Sequence, residues 1–210
     1  MSYQYDVFIS YRRAYDWLEW VGTIFRPLLV KWLDLPSGDN AIFLDTRAES
    51  PGLPWPPALA GAMARSKLLL VLWTPNYYKG SHWCRTELDF ILERERRSLT
   101  PNQSLVVPVI LNNLGSLRAD LDLRSPLDLS KYGNIRNKLS PGHEDLEAVV
   151  RDTLAPAIMA LLRTVPEFDP AWDAEAQQAV AATVSETREA FQGKVPSLGI
   201  DPMSDDRPAA

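Results

Sequence analysis

The feature that most constrains the fold is residues 68–73, which read Leu-Leu-Leu-Val-Leu-Trp and are followed by turn-forming residues at 74–76. A strand with one face in water alternates apolar and polar side chains, whereas an unbroken apolar run of this length is typical of a strand covered on both faces. Such strands occur in parallel sheets flanked by helices. We therefore expect this segment to be a buried strand of a parallel sheet.

The amino-terminal part adds a strand and a helix. Residues 5–10 form a short β-rich run, and apolar residues at helical spacing follow it between Trp17 and Leu28. Because proline lacks an amide hydrogen and clashes with the preceding turn, this helix should kink or restart near Arg26 and Pro27.

The later segments continue the alternation of strands with helices. Further strands are predicted at 41–44 and 105–111, with a weaker one near 126–129. Helices are predicted at 58–66, after an N-cap at Ser81, and at 144–162 with a bend near Pro156. The alternation indicates an α/β fold, a doubly wound parallel sheet of five strands.

Composition changes beyond Val165. Residues 173–191 are rich in Ala, Glu and Gln and favour a helix, whereas 192–210 are rich in Pro, Gly, Ser and Asp and offer little to bury. We expect a domain at 1–164, a helical extension at 165–191 and a disordered tail at 192–210.

The charge pattern argues against nucleic acid as a partner. The 210 residues include 22 Lys or Arg and 27 Asp or Glu, which gives a formal net charge of −5. The basic residues cluster only at 94–97, where a glutamate interrupts them, and we interpret this segment as a solvated helix face.

Neither a disulfide framework nor a metal site is expected. The single cysteine is Cys84, and the two histidines, His82 and His143, are far apart, so no metal is predicted. No basic segment followed by an apolar run opens the sequence, and nothing approaches the roughly 18 consecutive apolar residues that span a bilayer. We expect a cytoplasmic protein without a membrane partner.

The candidate site lies at the carboxyl ends of the first and third strands. In a parallel sheet of order 2-1-3-4-5, the strand order reverses there, and ligands bind at that point. Ser10, Tyr11 and Arg12 end the first strand, and Asn76 follows the third. Arg12 can pair with a phosphate or form a surface ion pair, and Tyr11 can stack on a planar ring or belong to the core.

The helix after the third strand carries a carboxylate in unusual surroundings. The residues one turn before and after Glu87 are Trp83, Cys84, Phe90 and Ile91, and none of them is basic. A carboxylate among such side chains should be partly desolvated, as is common at functional sites, and can accept hydrogen bonds from sugar hydroxyls. Trp83 can stack on a ring or only cover the sheet edge. The alternative for Glu87 is a stem that covers the core and a carboxylate that stays in water.

Several other chemistries lack their residues. A phospho-acceptor receiver domain needs an aspartate at the end of the third strand, where this chain has Leu72-Trp73-Thr74. The glycine-rich motifs of dinucleotide and nucleoside-triphosphate sites and the G-x-S-x-G of hydrolases are missing. Cys84 lies on the apolar stripe of its helix, so we interpret it as structural.

Four motifs in order resemble the TIR (Toll/interleukin-1 receptor) domain family. They are Tyr-Asp-Val-Phe-Ile-Ser-Tyr-Arg at 5–12, Phe-Leu-Asp at 43–45 with Pro-Gly at 51–52 and Trp55, Thr-Pro-Asn-Tyr-Tyr at 74–78, and S-x-W-C-x-x-E-L at 81–88. The resemblance covers about residues 3–163. It implies a flavodoxin-like fold in which residues 45–57 form the family's BB loop.

The resemblance also implies an activity. Some TIR domains are protein-interaction modules, and others cleave NAD+ at the nicotinamide-ribose bond, giving nicotinamide and ADP-ribose or a cyclic isomer. The essential glutamate of the enzymes corresponds to Glu87, and the adaptor branch commonly lacks it. NAD+ is then the substrate and no cofactor is expected. The implied substrate-binding residues are Ser10, Tyr11, Arg12, Asp45, Asn76 and Trp83. A catalytically silent interaction module is the alternative.

Partners follow from the same resemblance. Many bacterial TIR enzymes act in defence against phage or in immune signalling, often as assemblies in which the BB loop of one subunit completes the neighbouring pocket. We therefore expect a homo-oligomer formed through residues 45–57. A separate sensor or effector protein is a further expected partner.

Overall fold

The fold was obtained as a computed structural model. It describes residues 2–13, 15–45, 55–100, 103–112 and 117–192. The greater part of the predicted BB loop, residues 46–54, lies outside the described residues, and so does the predicted tail at 193–210.

A five-stranded parallel sheet forms the centre of the molecule. Its strands are β1 (Tyr5–Tyr11), β2 (Ile42–Leu44), β3 (Ser66–Trp73), β4 (Val106–Ile110) and β5 (Leu127–Asp128). Their order is β2-β1-β3-β4-β5, and every neighbouring pair is parallel. This confirms the predicted flavodoxin-like fold and places the reversal of strand order between β1 and β3.

The apolar run at 68–73 is buried as its sequence predicts. These residues form the greater part of β3, the middle strand, where Leu70 pairs with Ile9 of β1 and with Val107 of β4. Each of the six side chains is buried, because helices cover both faces of the sheet. Parallel pairing on both sides leaves β3 without an exposed edge.

Helices alternate with the strands along the chain. They are α1 (Tyr15–Trp20), α2 (Arg26–Leu33), α3 (Trp55–Ala64), α4 (His82–Ser98), α5 (Ala119–Asp122), α6 (His143–Val149), α7 (Ala155–Leu162) and α8 (Ala171–Gln192). Contacts link α3, α4 and α8 in one group and α2 and α7 in another. Among the described residues, no helix has the length and apolar character needed to cross a membrane.

Two helix junctions contain wide π-type turns. Val21–Phe25 joins α1 to α2, and Val150–Leu154 joins α6 to α7. In each case the following helix has a proline, Pro27 or Pro156, in its first turn, where its missing N–H is tolerated. The interruptions predicted from these prolines are therefore present as local widening within continuous helical segments.

The helix predicted at 173–191 is present as α8, and it packs against α3 and α4. Trp172, Ala176 and Val180 form its buried stripe at a spacing of four residues. Ion pairs hold both of its ends, with Arg65 Nε 3.0 Å from Asp173 Oδ1 and Arg85 Nη2 2.9 Å from Glu186 Oε2. The division into segments 1–164, 165–191 and 192–210 stays a prediction.

The interpretation of residues 94–97 as a solvated face was wrong for Arg94. This side chain is 0% exposed, and its Nη1 donates to the carbonyl of Ser66 at 3.0 Å and to that of Met63 at 3.3 Å. Its guanidinium lies 4.0 Å from the ring centre of Trp172. Trp172 is on α8, far away in sequence, so the local charge pattern gave no sign that α8 covers this position.

Candidate functional site

A cavity of about 270 Å³ lies beyond the carboxyl ends of β1 and β3. It brings together most of the predicted site residues, with five that the sequence analysis did not select for a site. The predicted ones in its lining are Tyr11, Arg12, Asp45, Trp83 and Glu87, and the others include Arg13, Gly80 and Cys84. The reversal of strand order thus coincides with a cavity, as the topology predicts.

The first turn of α4 orients the cavity wall. Ser81 has extended backbone angles (φ −144°, ψ 112°), and its Oγ accepts a hydrogen bond from the Cys84 amide at 3.2 Å, which confirms the predicted N-cap. Starting the helix at this residue places Trp83 and Glu87 one turn apart on the same side. Both side chains line the cavity as a result.

Glu87 is buried, as its apolar neighbours predict. The residue is 5% exposed, and the hydroxyl of Ser10 donates a hydrogen bond to its Oε2. Ser10 comes from the end of β1 and is itself buried, so the carboxylate is held from the sheet side while it borders the cavity on the other. The alternative, in which the Glu87 carboxylate stays in water, does not fit this burial.

Tyr77 completes a chain of buried hydroxyl groups behind Glu87. Its hydroxyl oxygen lies 2.5 Å from Ser10 Oγ, and the side chain is 0% exposed. Burial raises the pKa of Tyr77 well above 10.0, and Cys84 and Glu87 nearby raise it further. Sequence reasoning missed this residue. It lies within the motif at 74–78, but nothing local showed which of its two tyrosines turns inward.

Charged side chains that follow β1 and β2 form the cavity wall opposite α4. Arg13 Nη2 lies 3.0 Å from Asp45 Oδ1, so Asp45, predicted to bind substrate, forms an ion pair within the site. Arg12 lines the cavity and is half-buried. A phosphate in the cavity would therefore lie near two guanidinium groups, one of which already has a carboxylate partner.

Gly80 permits a close backbone approach beside Arg12. A Cβ atom at this position would lie 2.8 Å from the carbonyl oxygen of Asn76 and 3.5 Å from Arg12 Cζ. The Gly80 amide donates to that same carbonyl at 3.0 Å. Any larger residue would have to displace the backbone of this turn, so glycine fits here for steric reasons.

The predicted residues do not all face the cavity. Asn76 is exposed and is not among the described residues that line it. Ser10 is not among the described lining residues either, and its hydroxyl donates to Glu87 from the sheet side. Cys84 is buried on the apolar stripe of α4, where it was interpreted as structural, and it also borders the cavity. Substrate binding stays a prediction for the residues to which it was assigned, which are Ser10, Tyr11, Arg12, Asp45, Asn76 and Trp83.

A comparison with protein families agrees with this architecture. A family model described as TIR domain matches residues 7–140. A solved structure, the TIR domain of the Toll-related receptor TRR-2 from Hydra magnipapillata, is similar with a TM-score of 0.48 and 19% identity, over 74% of this chain and 98% of that one. No curated protein matches the chain. Because the family model spans more than half of the sequence and includes β1 to β5, with Ser10, Asp45 and Glu87, the chain belongs to the TIR domain family.

Proposed function

We propose that this TIR domain cleaves NAD+ at the nicotinamide-ribose bond and releases nicotinamide with ADP-ribose or a cyclic isomer. The observation that carries the proposal is Glu87, a carboxylate that is 5% exposed, accepts a hydrogen bond from Ser10 and borders a cavity. Burying a carboxylate at a cavity wall costs stability, and such sites are commonly functional.

The reaction needs one negative charge near the ribose. When the bond between C1′ and the pyridinium nitrogen breaks, its electron pair leaves with nicotinamide, and positive charge develops on the ribose. A carboxylate held in a site of low dielectric stabilises that oxocarbenium-like state, as in glycosidases. Nicotinamide leaves as a neutral molecule, so no general acid is required. Water, which loses one proton to the solvent, or an adenine nitrogen of the same molecule then forms the new bond to C1′.

The rest of the cavity lining supplies groups suited to the remainder of the dinucleotide. Arg12 and Arg13 offer guanidinium donors to the diphosphate, for which planar, multiply donating groups are well matched. Tyr11 and Trp83 present aromatic rings from β1 and α4, on which a nicotinamide or adenine ring can stack. We assign Glu87 to catalysis and these four residues to substrate binding.

In the cell, the activity would either deplete NAD+ or produce a nucleotide signal. We place it in antiviral defence or immune signalling, with a homo-oligomer formed through residues 45–57 as the active species and a separate protein as sensor or effector. The support for this part is the resemblance of the motifs to bacterial TIR enzymes. Assembly predicts that the specific activity rises with protein concentration.

The experiment is incubation of the chain with NAD+ over a series of protein concentrations, with and without a crowding agent. Chromatography detects nicotinamide, and mass spectrometry identifies the second product. Parent protein should release nicotinamide, and folded Glu87→Ala, purified in parallel, should not. Parent protein that is silent throughout would overturn the enzyme proposal in favour of a TIR interaction module. Equal release by Glu87→Ala would show that another group performs the reaction.

A further inference from the structure

Three buried polar side chains from different elements form one hydrogen-bonded row. Tyr77 lies in the turn after β3, Ser10 at the end of β1 and Glu87 on α4. The hydroxyl oxygens of Tyr77 and Ser10 are 2.5 Å apart, and Ser10 Oγ contacts Glu87 Oε2. The row therefore joins the two central strands to the helix that carries the carboxylate.

Proton counting fixes the direction of the row. In the ionised state that the proposed reaction requires, Glu87 has no proton to give, so Ser10 donates its single hydroxyl proton to Glu87. Ser10 Oγ is then an acceptor towards Tyr77, and the phenol must be the donor. Hydrogen bonds that run in one direction polarise each other, so the Tyr77 donor strengthens the bond that reaches Glu87.

Building on the proposed NAD+ cleavage, we propose that Tyr77 is a positioning residue that acts on Glu87 through Ser10. Tyr77 is not among the described residues that line the cavity, so it acts without touching the substrate. Its task is to hold the Ser10 hydroxyl as a donor aimed at Oε2, which orients the carboxylate.

The surroundings of Tyr77 suit this role. Its amide donates to the carbonyl of Thr74 at 2.9 Å, and its ring centre is 5.3 Å from that of Trp73, so turn and ring are both fixed. Burial raises the pKa of Tyr77, and nearby acidic groups, which include Glu87 and Asp89, raise it further, so the phenol stays protonated. The phenol therefore remains a donor at neutral pH.

The competing explanation is that Tyr77 only fills the core and that its hydroxyl happens to meet Ser10. The two explanations predict different energetic coupling between Tyr77 and Ser10. If Tyr77 acts through Ser10, its hydroxyl has no effect once the Ser10 hydroxyl is absent, whereas a packing role is independent of Ser10.

The test is a double-mutant cycle with Tyr77→Phe, Ser10→Ala and the double variant, in which kcat and KM for NAD+ are measured on folded protein. Tyr77→Phe should lower kcat by about 2- to 10-fold, the rate equivalent of one neutral hydrogen bond, with KM nearly unchanged. It should cause no further loss in the Ser10→Ala background. Tyr78→Phe is the matched control, because the Tyr78 hydroxyl binds Asp89 Oδ2 at 2.9 Å and should leave kcat within about twofold.

A second readout needs no turnover. In ¹³C-labelled protein, the carboxyl resonance of Glu87, assigned by its loss in Glu87→Gln, should move in Tyr77→Phe and not in Tyr78→Phe. An unmoved resonance, or an equal fold-loss of kcat in both backgrounds, would overturn the positioning role. A parent without NAD+ cleavage would instead contradict the proposed function, while the resonance still decides whether Tyr77 positions the carboxylate.

Discussion

Helix α4 buries two charged side chains seven residues apart, and they differ in what surrounds them. Glu87 near its start accepts a hydrogen bond from Ser10 and borders a cavity, whereas Arg94, two turns later, is enclosed between α3, α4 and α8. The Arg94 guanidinium meets backbone carbonyls and the ring of Trp172. One helix thus carries a buried charge that faces a space for ligand and one that faces only protein.

Burial of a charge therefore does not by itself indicate a site. Arg94 lies against carbonyls at the carboxyl end of α3, where a helix end favours a cation, and against an aromatic face. Burial lowers its pKa to about 10, so it stays charged at neutral pH. These contacts compensate the charge within the fold. Glu87 borders a cavity in which positive charge can develop, and that access supports a catalytic role.

The largest effect on stability should come from Arg94→Ala. The change leaves the carbonyls of Met63 and Ser66 without their donor and opens a void beside Trp172, so unfolding free energy should fall by about 2–4 kcal/mol. Urea denaturation measures it. Arg96→Ala is the matched control from the same basic run, and because its side chain is 72% exposed it should change stability by about 0.5 kcal/mol or less.

The rate of NAD+ cleavage by Arg94→Ala distinguishes the role of Arg94 from that of Glu87. At a temperature at which Arg94→Ala is still folded, its rate should stay close to that of the parent, because Arg94 is not among the described residues that line the cavity. A rate loss as large as that of a Glu87 variant would break the distinction between the two charges.

A smaller effect is expected from Trp83, which lines the cavity. Trp83→Ala removes a ring that lines the cavity one turn before Glu87, so it should change the ratio of cyclic to linear product or lower turnover by up to about tenfold. Chromatography of the nucleotide products measures both quantities. Folded Trp83→Ala with the parent's products and rate would show that Trp83 only covers the sheet edge.

The smallest effect is the loss of stability at alkaline pH. It is compared between Tyr77, which lies near Glu87, and Tyr3, which lies near Arg94. The pKa of Tyr77 is raised well above 10.0, and that of Tyr3 is also raised by burial, but the Arg94 guanidinium opposes the shift at Tyr3. A phenol with a raised pKa stabilises the fold below pH 10.0, and this contribution is lost as pH rises towards the folded-state value, since the unfolded chain releases the proton first.

Denaturation at pH 8 and at pH 10.5 should therefore show that Tyr77→Phe loses less stability than the parent over this interval. Tyr3→Phe should resemble the parent more closely. Identical pH dependence of Tyr77→Phe and the parent would contradict the assignment of a raised pKa to this hydroxyl.

The sequence predicted the parts of this account that depend on local patterns. The run at 68–73 identified the buried strand, and the apolar neighbours of Glu87 predicted its burial, because both signals lie within a few residues of the chain. Arg94 and Tyr77 escaped prediction since their surroundings are built by distant segments. Trp172 covers the first, and Ser10 meets the second across 67 positions. Asn76 follows β3 as predicted, yet it is exposed and is not among the described residues that line the cavity.

The catalytic role of Glu87 is tested by comparing the rate of nicotinamide release by Glu87→Gln with that of the parent, at the protein concentration where the parent is most active. Glutamine keeps the shape and removes the charge, so the rate should fall by about 10²–10³-fold, as is typical when one electrostatic element of a transition state is lost. The melting temperature should be unchanged or slightly higher, because a buried charge has been removed. Release at the parent's rate by folded Glu87→Gln would contradict the account.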